Sequence, residues 1–227
     1  MFDTIVQGTR RVLEFAAAAG TQKFLFVSSG AVYGRQPSDI VAIPENYSGG
    51  PDQLIPASAY GEGKRAAELQ CVLLAQRHGF AVKIARCFAF VGPHLPLEAH
   101  FAVGNFLRDA LARRPIRIKG DGQPYRAYLY AADMAAWLWL VLCQGANERA
   151  YNVGGAQSMT LAATAELVRA IGGGGPVTVM RAVEPTPASR YVADCTRIQK
   201  ELVLPDSLDL ESSVRRTLAW LAAANFR

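Results

Sequence analysis

The sequence is short of charge, of histidine and of paired cysteines. Only 19% of its 227 residues are charged while 51% are hydrophobic, against a usual ~25% charged in globular chains. Such a balance buries enough apolar surface to offset chain entropy, which excludes disorder as a description of the whole chain. Cys71, Cys87, Cys143 and Cys195 lie far apart with no C-x-x-C pair; a chain of this size needs no staples, so they read as reduced core thiols. His94, Glu98 and His100 sit close together in a Pro-rich loop, but neither their spacing nor their placement fits a zinc motif, and no metal is expected. Long apolar runs are missing as well. The longest stretch without a charge, Ala150 to Ala165, has 16 residues, several of them polar, short of the ~18 that a membrane span needs. The start, Met1-Phe2-Asp3-Thr4-Ile5, has no basic region followed by an apolar stretch, so the reading is a cytoplasmic protein with no membrane partner.

What charge there is leans basic. Lys and Arg number 24 against 19 Asp and Glu, for a net +5 and a pI near 9.2, which suits an anionic ligand but is spread thinly. Pairs such as Arg113-Arg114 and Arg215-Arg216 read as solvated helix ends, so nucleic acid is not an expected partner. Apolar residues at helical spacing mark Asp3–Ala19 as an amphipathic helix stopped at Gly20. Phe24-Leu25-Phe26-Val27, within Lys23–Ser28, is a continuous apolar run of the kind buried on both faces of a parallel sheet. Tyr60–His78 reads as a helix closed by Gly79, and Ala81–Phe88 as a second strand, which together make a right-handed crossover unit. Beyond Gly92-Pro93 short elements alternate: helices near Val103–Arg113, Asp133–Cys143, Leu161–Ile171, Thr196–Leu202 and Leu210–Ala224, and strands near Ile116–Ile118, Ala127–Tyr130 and Tyr151–Val153. Gly172 to Gly175 reads as a turn. Trp137 and Trp139 read as core.

Tyr60 and Lys64 stand one helical turn apart on one face, and an ammonium beside a phenol favours the phenolate, which makes an acid/base pair. Such pairs also arise on ordinary helix surfaces, so the context decides. Upstream, the strand ending at Ser28 runs into Ser29-Gly30-Ala31-Val32-Tyr33-Gly34, placing the Ser29 hydroxyl at the carboxyl end of a parallel strand, where open α/β sheets bind ligands.

These residues resemble the extended short-chain dehydrogenase/reductase superfamily, in its NAD-dependent epimerase/dehydratase branch acting on nucleotide sugars. Ser28-Ser29-x-x-Val32-Tyr33-Gly34, Tyr60-x-x-x-Lys64, Arg86 through Val91-Gly92-Pro93, and Gly120-Asp121-Gly122-x-x-x-Arg126 leading to Tyr130 and Asp133 all match it in order and spacing. The resemblance covers essentially the whole chain. It implies an α/β fold, a partial doubly wound parallel Rossmann-type sheet over 1–91 with a smaller substrate-binding α/β domain over 92–227, some segments of which return to the sheet. It implies NAD as cofactor, NADP not being excluded, with Ser29, Tyr60 and Lys64 catalytic. Ser28, Tyr60, Lys64 and Phe88 would touch the cofactor. Ser29, Tyr33, Ala89, Arg126 and Arg190 would touch the nucleotide sugar, Arg126 at its diphosphate. A homodimer through the helices at 3–19 and 60–78 is the expected assembly.

The chain departs from the family in three places. Family 4,6-dehydratases carry Asp-Glu after the hydroxyl residue where this chain has Gly30-Ala31, which disfavours dehydration and leaves epimerisation or reduction. Ala89 stands where the family usually has a phosphate-contacting Asn. The opening strand, Gly-rich turn and ribose-binding acid are absent; Gly61-Glu62-Gly63-Lys64-Arg65-Ala66 follows a loop and is a decoy. By comparison with the family about 80 to 90 residues holding the first four strands are missing, so the chain reads as the carboxyl-terminal two thirds of an enzyme. The competing reading is a noncatalytic remnant or subunit that binds a nucleotide sugar or a partner chain without turnover.

Overall fold

The computed structural model describes residues 1–99, 101–183 and 187–224. In chain order its elements are α1 (Phe2–Ala18), β1 (Lys23–Ser29), α2 (Ala59–His78), β2 (Ala81–Cys87), β3 (Ala89–Val91), α3 (Ala102–Leu111), β4 (Pro115–Ile118), β5 (Tyr125–Tyr130), α4 (Ala131–Gln144), β6 (Arg149–Val153), β7 (Ser158–Thr160), α5 (Leu161–Gly172), β8 (Gly175–Val179), β9 (Arg190–Tyr191), α6 (Thr196–Glu201) and α7 (Leu210–Ala223). They form two compact units, one of 1–88, 135–154 and 193–205, the other of 89–134, 155–192 and 206–227. The chain therefore passes from one unit to the other several times, and the first passage falls between Phe88 and Ala89.

The first unit is built on a parallel sheet in the order β1-β2-β6, with Phe26 beside Ile84 and Ala85 beside Tyr151. One face carries α1 and α2: Leu13, Ala67, Cys71 and Ala75 bury against Phe26, Val82 and Ile84. α2 stops at Gly79, whose left-handed backbone (φ 78°) places its N–H on Ala75 O, a conformation glycine adopts without steric penalty. Gln22 O accepts from Ala81 N at 2.9 Å. Because successive residues of a strand turn their backbone groups to alternate sides, residues 24, 26 and 28 serve β2. Those of Lys23, Leu25 and Val27 face the other edge, which pairs with no strand among the described residues.

The second unit packs α3, α5 and α7 around Leu107, Ile116, Val168 and Leu221. Its strand β5 is flanked by β3 and β9 in parallel and by β7 antiparallel, while β4 pairs with β8. Gly175, read as part of a turn, instead opens β8.

Three burial expectations are corrected. Val27 is 45% exposed, so the run Phe24–Val27 is covered chiefly on the face of α1 and α2, with Leu25 half-buried on the other. Trp137 is buried as expected, but Trp139 is 67% exposed, because residues two apart on a helix point in different directions and only one of them meets the sheet. Cys71, Cys87 and Cys195 are buried thiols, pushed up to about 12 by burial; Cys143 is exposed. No described helix is long and apolar enough to cross a membrane.

Candidate active site

Ser29 ends β1 and caps the 3-10 turn Gly30–Tyr33, its Oγ accepting from Ala31 N at 3.2 Å. Two contacts bring the start of α2 to this strand end. A Cβ on Gly61 would stand 2.6 Å from Ala31 O and 2.7 Å from Pro51 Cγ, so only glycine lets the helix approach so closely. Lys64 Nζ donates to Val27 O at 2.8 Å, and its ammonium lies 4.9 Å from the Phe26 ring centroid. The first turns of α2 are thus anchored two residues before Ser29 and two after it. Burial holds the Lys64 amine below the ordinary lysine range, partly opposed by Cys87, Cys71 and Glu68. Tyr60 is 39% exposed, open to a ligand. Gly61→Ala should push α2 off the turn and lower stability by about 1–3 kcal/mol, the usual range for overpacking. A urea melt with a lower midpoint and an unchanged slope is the expected result.

Behind these residues lies a buried polar network that the motif reading did not assign. Glu68, one turn beyond Lys64, accepts from Ser28 Oγ at 2.6 Å and from Arg86 Nη2 at 2.7 Å and Nε at 3.0 Å. Arg86 Nη1 donates to the Tyr33 hydroxyl at 2.9 Å, and that hydroxyl donates to Asn152 Oδ1 at 2.8 Å. Asn152 Nδ2 in turn donates to Ile43 O and Asp194 O. Burial pulls the Arg86 guanidinium down, but the hydrogen bonds and charge of Glu68 outweigh it and raise it above the usual arginine value. Burial likewise pushes the Tyr33 phenol up to about 12. The sequence signals were a Glu at four-residue spacing from Lys64 and an Arg near the end of the buried strand β2.

Ser28, expected at the cofactor, is buried with its hydroxyl on Glu68. Tyr33, expected at the substrate, is 2% exposed and held by Arg86 and Asn152. Phe88 lies against Gly30: a Cβ there would meet three atoms of its ring at 2.7–2.9 Å. Its ring centroid is 6.2 Å from that of Tyr33. Position 30 therefore has no room for a carboxylate side chain while Phe88 keeps its place.

In the second unit Ala89 opens β3, next to Tyr128 of β5. Arg126 donates through Nη1 to Tyr125 O at 2.7 Å, and its guanidinium carbon is 5.8 Å from the Tyr191 ring centroid. Burial lowers this guanidinium, partly opposed by Tyr128 and Tyr191. Arg190 stacks 4.1 Å from the Tyr125 ring centroid. Tyr125 pairs with Arg190 and Arg126 with Tyr191; paired residues share a face and neighbours alternate, so the two arginines lie on opposite faces of this ribbon. His94 stacks on Trp220 at 4.5 Å, and His100 lies outside the described residues. Among the described residues no three His, Cys, Asp or Glu side chains gather as a metal site would require.

The model of the NAD dependent epimerase/dehydratase family matches residues 1–154. The chain belongs to this family. It is 28% identical over 212 residues to UDP-glucuronic acid decarboxylase 1 of Xenopus tropicalis, covering 93% of this chain and 49% of that protein. It is 32% identical over 184 residues to UDP-glucuronic acid decarboxylase 5 of Arabidopsis thaliana, covering 81% and 52%. The chain spans about half the length of these curated relatives. The crystal structure of UDP-glucose 4-epimerase from Thermotoga maritima with UDP-glucose shares its fold at a TM-score of 0.86 and 23% identity, over 98% of this chain and 71% of that one. dTDP-glucose 4,6-dehydratase of Bacillus anthracis in complex with NAD does so at 0.84 and 22%, over 99% and 69%.

Proposed function

We propose that the chain is the catalytic and sugar-binding part of an NAD-dependent nucleotide-sugar enzyme that epimerises or reduces its substrate and does not dehydrate it. One observation carries the reading: α2 is anchored on both sides of Ser29, so a phenol, an amine and a hydroxyl gather at the carboxyl end of a parallel strand. Tyr60 takes or returns the proton of a sugar hydroxyl, and Ser29 holds the same oxygen by a hydrogen bond. Lys64 steadies the phenolate by its charge.

The residues present fit the nicotinamide end of NAD. A half-buried amine lies beside an exposed phenol, and Phe88 and Gly30 offer a wall without charge. Lys64 and Tyr60 would hold the ribose of that end, and the cofactor would supply reversible hydride transfer there. Among the described residues no strand, Gly-rich turn and helix stand together as a pyrophosphate site. Arg126 is assigned to the diphosphate of the nucleotide sugar, with Ala89, on the same face of the ribbon, as a further contact; Arg190, on the opposite face, is left out of this assignment.

The exposed residues Val12 and Phe15 on α1 and Leu69 and Leu73 on α2 support self-association through these two helices, since an apolar outer helix face favours a covered state. A cytoplasmic location is supported by the free thiols, the exposed Cys143 among them, which suit a reducing compartment.

The proposal is tested in a full-length enzyme that supplies the pyrophosphate site, by offering it UDP-glucuronate, UDP-glucose and dTDP-glucose with excess NAD or NADH and resolving the products by chromatography with mass detection. An epimer of unchanged mass or a reduced sugar is expected. A product lighter by one water would refute the assignment, because neither Gly30 nor Ala31 can supply the acid.

A further inference from the structure

Arg65 follows Lys64 on α2 and reaches a different part of the chain. Its Nη1 donates to Val32 O at 3.1 Å and to Gly49 O at 2.9 Å, one hydrogen to each carbonyl. Val32 belongs to the turn that Ser29 caps, and Gly49 to the loop between that turn and α2. Glu62 Oε2, 3.7 Å from Nε, steadies the guanidinium from the same helix. Three glycines admit the loop segment Gly49-Gly50-Pro51. A Cβ on Gly50 would stand 3.1 Å from Arg65 Cζ and one on Gly61 2.7 Å from Pro51 Cγ, while one on Gly34, where φ is 70°, would run into Gly50 O. A side chain at any of these places would hold the segment off. Tyr47 backs it from behind, since a Cβ on Gly49 would run into the Tyr47 ring, whose centroid is 6.3 Å from that of Tyr33. The segment is wedged between the turn that follows Ser29 and the first turns of the helix that carries Tyr60.

We propose that Arg65 is a positioning residue, clasping segment 49–51 and the turn after Ser29 to α2 and so setting the distance between the Ser29 and Tyr60 hydroxyls. The proposal rests on the reading in which both hydroxyls act on one sugar oxygen. That reading needs their separation kept closely, because a misplacement of ~1 Å can cost about 10²-fold in rate. The turn's own bonds, Gly34 N to Ala31 O at 3.1 Å and Ala31 N to Ser29 Oγ at 3.2 Å, close it on itself and do not tie it to the helix. Lys64 ties α2 to the strand before Ser29. Gly61 permits the approach of α2 to Ala31 but supplies no bond there. Arg65 supplies the bond after Ser29, so that Ser29 is held from both sides by neighbouring residues of one helix. Stability alone does not account for it. The Arg65 side chain is 42% exposed, and a charged group so open to water contributes little to global stability. What its loss removes is the fixed placement of the turn against the helix.

The test uses Arg65→Met, which keeps the length of the side chain and removes its donors. In the chain as it stands, hydrogen exchange at the Ala31 and Gly34 amides should speed by about tenfold or more, the factor for one lost hydrogen bond to a charged group, while the amides of β2 exchange as in wild type. In a full-length enzyme that supplies the pyrophosphate site, the same variant should lose about 10- to 100-fold in kcat, with KM and melting temperature close to the parent's. Equal exchange in variant and wild type would overturn the clasp. Faster exchange with a parent-like kcat, or a loss of kcat accompanied by a matching rise in KM and a lower melting temperature, would overturn the positioning role. If the parent enzyme turns over no nucleotide sugar, the reaction reading fails and the positioning role with it, while the exchange arm still decides the clasp. Should Arg65→Met not fold, the unaltered chain carries the test: its Gly34 amide should exchange as one unit with that of Lys64, and a Gly34 amide that exchanges as in a free loop would overturn the clasp.

Discussion

Tyr60→Phe, in a full-length enzyme that supplies the pyrophosphate site of the cofactor, is expected to lower turnover by about 10²-fold or more, the usual worth of a positioned acid/base, with KM changed far less. The substitution keeps the ring on the first turn of α2 and removes only the hydroxyl. The Gly61 approach to Ala31 and the Lys64 bond to Val27 do not involve that hydroxyl, so the variant should melt with the parent. Steady-state rates with NAD and nucleotide sugar in excess measure the effect. Parent-like turnover in a folded Tyr60→Phe protein would remove Tyr60 from the chemistry and leave Ser29 or a bound water to move the proton.

The features legible in the sequence were those with a local signal. Apolar spacing and a closing glycine marked α1 and α2, and the run Lys23 to Ser28 marked β1 to within a residue. Motif spacing marked Ser29, Tyr60 and Lys64 because a helix face and a strand end are both short-range geometry. β7 and β9 have three and two residues, and exist because β5 offers both of its edges; no periodicity can build up over so few positions. Trp137 and Trp139 both read as core, but residues two apart on a helix point in different directions, and only Trp137 meets the sheet. The bond from Lys64 to Val27 O had no sequence signal at all. It follows from the alternation of the strand, which turns the Val27 carbonyl away from β2.

The buried network shows the same limit more sharply, since Ser28, Glu68, Arg86, Tyr33 and Asn152 span three strands, one turn and one helix. Glu68→Ala is expected to destabilise the protein by about 3–5 kcal/mol, the range for removing one partner of a buried ion pair. The reason is mainly what remains. Arg86 keeps its charge with its side chain only 17% exposed, and the two carboxylate oxygens that accept from it are gone. Ser28 Oγ loses its 2.6 Å acceptor as well, a hydrogen bond to a charged group worth about 1.5–3 kcal/mol, part of the same total. Replacing both partners, Glu68→Leu with Arg86→Met, removes the stranded charge and should cost clearly less than Glu68→Ala alone. Urea unfolding of the two single variants and the double closes the cycle. A Glu68→Ala midpoint within the range of surface changes, about 0.5 kcal/mol, would mean that water reaches Arg86 and the pair is not sealed. Because Ser28 precedes Ser29 directly, the same experiment bears on the site: if Glu68 fixes the strand end, Glu68→Ala should raise the exchange rate of the Ser29 and Ala31 amides before global unfolding sets in.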